Sequence, residues 1–165
     1  MTNKEEILNE IKKTEEHLAN MKKMLSECEY ERWKPEKGKR YYFLNSCNIA
    51  MCETWDADCS DVAHYNIYNC FKTREQAEAE AEKILVRRRL EDIARRLNRG
   101  RKIDWNNYDQ TKSFILFDCT TQLIERDCNL RNKIQGVVYC LDNNFRKIAI
   151  QEIGEERLKK YLRGE

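Results

Sequence analysis

Residues Phe71 to Lys102 read FKTREQAEAEAEKILVRRRLEDIARRLNRGRK, and this stretch decides how the rest of the chain is arranged. Thr73 followed by Gln76 has the form of a capping box, in which hydroxyl and amide each satisfy an orphan backbone donor at a helix start. Beyond it Ala77, Ala81, Ile84, Leu85, Leu90, Ile93, Ala94 and Leu97 recur at helical spacing, so one stripe faces a core and the other faces water. Asn98 and Gly100 are predicted to end the helix, since either residue tolerates the left-handed conformation that closes helix C-termini.

Charge is segregated along this helix. Glu75, Glu78, Glu80 and Glu82 lie early, whereas Arg87, Arg88, Arg89, Arg95, Arg96, Arg99, Arg101 and Lys102 lie late. That polarity matches the helix macrodipole, so a solvated helix accounts for it. A second account is a basic face that contacts phosphate or an acidic protein surface. The late run holds seven arginines to one lysine, which favours contact, because the guanidinium fork pairs bidentately with carboxylate and phosphate.

The 165 residues hold one ordinary domain or two very small ones with an appended helix. Hydrophobic residues at 41% beside charged residues at 36% describe a folded chain with a modest core rather than a disordered one. A formal net charge of +2 leaves electrostatic steering to local patches. The N-terminus is charged from Lys4 onward and carries no apolar signal segment, so a cytoplasmic location with reduced cysteines is expected. No apolar run approaches the roughly 20 residues that span a bilayer, and no membrane partner is expected.

Residues 1–28 are predicted to form a coiled-coil helix. Lys4, Ile7, Ile11, Thr14, Leu18, Met21, Leu25 and Cys28 follow alternating steps of three and four, the period of a two-helix seam, with Glu and Lys on the flanks. A helix this short is marginal alone, so homodimerisation through Ile7, Ile11, Leu18, Met21 and Leu25 is expected.

Residues 29–102 and 103–165 are each predicted to form a unit of antiparallel strands followed by a helix. In the first, Trp33, Pro35 and Gly38 mark a turn before the strands Arg40–Asn45 and Asn48–Trp55, and Ala63–Phe71 supplies a third. Asp56, Asp58 and Asp61 fall in an acidic loop between the second and third. In the second unit the strands are Ser113–Asp118, Thr121–Glu125 and Ile134–Leu141, followed by a helix from about Asn143 that Gly154 breaks. YFLNSC from Tyr42 lies parallel to FILFDC from Phe114, and NCFKTREQA to NNFRKIA, a weak tandem repeat. The fold class is therefore α+β, an N-terminal coiled-coil helix followed by two tandem strand-strand-strand-helix units whose edge strands can share one sheet.

Chemistry is sparsely marked. Cys47, Cys52, Cys59, His64 and Cys70 are close in sequence, yet only Cys47 and Cys52 approach a zinc-knuckle spacing and no second knuckle follows. Reduced cysteines acting as small core hydrophobes on strands are the commoner outcome. His64 pairs arithmetically with several cysteines, but nothing marks an oxyanion hole or an orienting acid. No glycine-rich phosphate cradle occurs. Neither enzyme activity nor a cofactor or resident metal is expected.

A coiled coil, then Trp33-Lys34-Pro35-Glu36-x-Gly38, Tyr41-Tyr42-Phe43, a strand ending at Trp55, and Asn69-x-Phe71-x-Thr73-x-Glu75-x-Ala77 follow one another in order. This arrangement resembles a widespread group of small proteins encoded by phages and prophages of Firmicutes, over most of the chain. It departs from the group at Cys70, where a plainer polar residue is usual, and in its longer second unit. The resemblance implies a mobile-element accessory protein that counters host defence, and it transfers no catalytic residue. Three expectations follow. The first is a non-enzymatic inhibitor that binds a host defence protein, a CRISPR-Cas nuclease foremost, using Arg87, Arg88, Arg95, Arg96, Arg99 and Arg101 or the acids Asp56, Asp58 and Asp61. The alternatives are a nucleic-acid-binding regulator that uses the same arginines, and a sponge for a nucleotide signal.

Overall fold

The computed structural model describes residues 2–28, 32–129 and 131–165, and within the first helix it describes the side chains of residues 7–23. The chain divides into two units, Met1–Lys34 and Pro35–Glu165. No described helix is long and apolar enough to cross a membrane.

The first unit is built on one helix, α1 (Thr2–Cys28), as the seam pattern predicts. Ile7, Ile11, Leu18 and Met21 of that seam are 50%, 49%, 48% and 44% exposed, and Leu8 beside them is exposed as well. The side chains of Lys4, Leu25 and Cys28, which the seam also includes, lie outside the described residues.

In the second unit the strands β1 (Arg40–Leu44) and β2 (Ala50–Thr54) form an antiparallel hairpin, followed by α2 (Cys59–Asn66) and the long helix α3 (Arg74–Asn98). A second antiparallel hairpin, β3 (Lys112–Asp118) and β4 (Leu123–Asn129), leads to α4 (Phe145–Ile153) and α5 (Glu155–Arg163). The class is α+β. The hairpins form two separate two-stranded sheets instead of a shared one.

The capping box at the start of α3 is present: Gln76 N–H donates to Thr73 Oγ1, and Thr73 N–H donates to Gln76 Oε1, both at 3.3 Å. At the other end Arg99 (φ 50°) rather than Asn98 takes the left-handed conformation, with Gly100 behind it. Asn98 stays helical and turns its side chain to other use, for its Oδ1 accepts the Leu141 N–H at 2.7 Å.

Neither predicted third strand forms as a strand. Ala63–Phe71 is mostly the end of α2 and the turn behind it, and only Phe71 pairs with β1, exchanging both backbone bonds with Tyr42 at 3.0 and 2.8 Å. Two residues further along β1, the amide of Asn69 substitutes for a strand. Its Oδ1 accepts the Leu44 N–H at 2.8 Å and its Nδ2 donates to the Leu44 carbonyl at 2.7 Å. Ile134–Leu141 likewise contracts to one bridge, Ser113 with Cys140, because Gly136 (φ 83°) turns the chain inside the predicted strand. The two Asn-x-Phe segments therefore share their place in the order but not their register. Phe71 pairs with β1 ahead of α3, whereas Phe145 is the first residue of α4 and fully buried.

α3 packs against both hairpins' neighbourhoods. Its N-terminal half contacts β1 and β2, with Ala77 buried. Its C-terminal half gives Val86, Leu90, Ile93 and Ala94 to a continuous apolar core with Ile115, Ile124, Cys140, Phe145, Ala149, Ile153 and Leu158. Burial of such side chains contributes about 1.5–3 kcal/mol each, so this is the main source of cohesion in the unit.

Candidate functional site

The segment expected as an acidic loop is the start of a helix. Asp58 is the N-cap of α2, and its Oδ1 accepts the Asp61 N–H at 2.8 Å and the Ser60 hydroxyl at 2.9 Å. These bonds, the backbone one foremost, hold its carboxyl below the usual carboxylate range. Asp61 is not a surface acid at all, being 1% exposed. Of the acidic trio, Asp56 and Asp58 are exposed, and Asp61 cannot present its charge to a partner.

What Asp61 does instead is the best-defined polar arrangement in the molecule. Its Oδ2 accepts the Asp56 N–H at 2.7 Å and its Oδ1 accepts the Tyr41 hydroxyl at 2.8 Å, so both oxygens act as acceptors, as in a carboxylate. Tyr41 is fully buried on β1. Burial first, and then the bond to Asp61, push its phenol well above the ordinary tyrosine range. The same hydroxyl lies 3.0 Å from Nδ1 of His64. A phenol has one proton, and Asp61 takes that hydrogen bond. The Tyr41 oxygen is then an acceptor toward His64, whose Nδ1 carries the hydrogen of that bond.

Aromatic rings fix the remaining freedom. His64 stacks on Phe43 with centroids 4.2 Å apart, while Trp55 meets Tyr41 edge-on at 5.6 Å and Tyr65 at 6.2 Å. The network ties β1 to α2 across 20 to 23 residues of sequence. His64 is thus held by a phenol and a phenyl ring, not by the cysteine partner that a nucleophile pair requires. Sequence reasoning missed this site, although Asp58 and Asp61, an N-cap acid with a second acid three positions on, carried a helix-start signal.

The cysteines do not gather. Among the described residues no three His, Cys, Asp or Glu side chains are placed to hold a metal ion. Cys47, Cys52, Cys59, Cys119 and Cys128 are exposed and Cys70 is half-buried, which corrects the expectation of cysteines as core residues; Cys140 alone among those described fits it. Burial pushes the Cys140 thiol up, and its sulfur lies 3.4 Å from Asn98 Oδ1.

The arginine run is divided by its own helix. Arg87 pairs with Glu91 at 3.1 Å and Arg95 with Asp92 at 2.7 Å, whereas Arg96 bridges Asp92 at 3.0 Å and Glu152 of α4 at 2.6 Å. Arg88, Arg99 and Arg101 are exposed and make no ion pair among the described residues, although Arg101 donates to the Asn98 carbonyl. At the end of α3 a cleft of about 420 Å³ opens between Arg95, Arg101, Lys102, Val138 and Tyr139, with Glu91 on its wall.

No protein-family model matches this chain, and neither do the curated proteins or the solved structures. The site must be read from its own geometry. Three surfaces remain in contention: the apolar seam of α1, the unpaired arginines at the end of α3, and the aromatic and acidic surroundings of β2 and α2.

Proposed function

We propose that the protein is a non-enzymatic accessory protein of a phage or prophage. It acts as a homodimer in the host cytoplasm by binding a host defence protein, with a CRISPR-Cas nuclease as the first target to test. The observation that supports this reading is the row Ile7, Ile11, Leu18 and Met21, each about half exposed along one helix. Such a row at coiled-coil spacing is an interface with its other half missing. The phage affiliation rests on the sequence resemblance.

The test is affinity capture of the tagged full-length protein from a Firmicute lysate, divided into nuclease-treated and untreated halves and read by mass spectrometry. A defence protein retained in both halves is the expected result. Recovery of nucleic acid alone, lost on treatment, overturns it. That outcome would favour the regulator reading, for which Arg88, Arg99 and Arg101 are the arginines of the run that make no ion pair among the described residues. Their replacement by Glu would then weaken binding and flatten its salt dependence.

A further inference from the structure

The two hairpins treat their outer edges differently. β1 is closed on its outer side by Phe71 and the Asn69 amide, and β3 by Cys140. β4 has no strand beyond it among the described residues, but it carries Glu125, Arg126 and Asp127 in succession, and the Cys128 N–H is satisfied by Asp127 Oδ1 at 2.7 Å. Charges of that kind protect an edge against pairing.

Among the described residues β2 has less of such protection, with Glu53 as its one charge. Its sequence, AMCET, contains neither lysine nor proline, and Met51, Cys52, Glu53 and Thr54 are all exposed. The direction of its backbone groups follows from the bonds around it. Ile49 and Trp55 bond inward to Asn45 and Lys39, while Tyr42 and Leu44, the partners of Cys52 and Ala50, bond outward to Phe71 and Asn69. In an antiparallel ladder directly opposed residues point the same way relative to the pair, so Ala50, Cys52 and Thr54 direct their N–H and C=O groups away from β1.

We infer that this edge pairs antiparallel with the β2 edge of a second copy, centred on Cys52, to make a four-stranded sheet across the dimer. Full overlap of the five-residue strands puts Cys52 on the two-fold axis and Ala50 opposite Thr54. Met51 then lies opposite Glu53 of the second copy, so no like charges meet. A shift by two residues toward the C-terminus would set Glu53 against Glu53 and is disfavoured. A strand pair this short is a weak interface alone. The inference therefore rests on the α1 dimer proposed above for its effective concentration.

Residue-resolved amide hydrogen exchange on the full-length protein, alongside sedimentation, tests it. The Ala50, Cys52 and Thr54 amides are expected to exchange as slowly as the inward Met51 and Glu53 amides. Met51→Glu places two like-charge pairs across the axis and is expected to speed the three outer amides about threefold to tenfold, whereas Met51→Lys creates opposite-charge pairs and preserves or increases their protection. A dimer with fast outer amides in the wild type, or the same response to both substitutions, overturns the edge pairing while leaving the coiled-coil reading intact. A monomeric wild type with fast outer amides removes both. A dimer that survives Ile11→Glu with Leu18→Glu and keeps its outer amides slow would uphold the edge and remove the coil.

Discussion

The two ends of α3 are held by different physics. Around its N-terminal half the fold depends on directional contacts: the Tyr41–Asp61–His64 network, a ring of aromatics, and an asparagine amide completing a sheet edge. Around its C-terminal half the contacts are aliphatic and continuous, from Val86 through Leu158. Directional bonds fix geometry closely but contribute little net stability each, about 0.5–1.5 kcal/mol, whereas apolar burial is additive and tolerant of small displacement. The first region therefore specifies shape, and the second supplies most of the resistance to unfolding.

The largest effect is expected in the aliphatic region. Phe145 is fully buried among these residues, and Phe145→Ala should lower unfolding free energy by about 3–5 kcal/mol, read as a lower denaturant midpoint with little change in slope. An unchanged midpoint would remove the distinction between the two ends. Next in size is Asp61→Ala, which leaves the buried Tyr41 hydroxyl and the Asp56 N–H without that acceptor at a cost of about 1–3 kcal/mol. Tyr41→Phe should fall in the same range, and the double variant should lose less than the sum, because both remove one bond. Additive losses would show that Tyr41 and Asp61 do not act as a pair.

The smallest effect concerns acid. Asp58 is held low chiefly by the Asp61 backbone N–H, and Glu82 by its bidentate bond to Arg157, one arm of which is 2.8 Å. Both carboxyls have depressed values in the fold, so their stabilisation is present above the unfolded-state range near pH 4 and is lost as pH falls through the folded values. Both are solvent-accessible, which keeps the effect modest. Asp58→Asn with Glu82→Gln should lower the melting temperature modestly at neutral pH and bring it together with the wild type's below about pH 4, which flattens the acid limb. An acid limb as steep as the wild type's would assign the acid response to other groups.

The helical skeleton was legible because periodicity and capping are local. The Thr73 and Gln76 box, the Gly154 break between α4 and α5, and both hairpins' first strands stand where the pattern places them. α2 was not legible, because Tyr65, Ile67 and Tyr68 carry strand propensity and the segment is only eight helical residues long. Tertiary contacts settle it: Asp61 and His64 reach Tyr41 only when the segment coils. Asn69 illustrates the same limit, for nothing local shows that a side-chain amide will pair with a backbone 25 residues away. The division of the arginine run was partly readable, since Glu91 and Asp92 sit at pairing distance in sequence; the contribution of Glu152 was not.

Asn69 and Phe71 together close an edge that would otherwise need a whole strand. Ile67 and Tyr68, between α2 and that closure, are thereby released from pairing in the sheet, and they stand 67% and 76% exposed, with Val62 of α2 at 42%. Val62 and Ile67 can change without disturbing a backbone bond of the hairpin, whereas Tyr68 (φ 64°) stands in the left-handed region, which restricts what can replace it. That makes this a surface where new contacts can be tried while the fold is inherited unaltered.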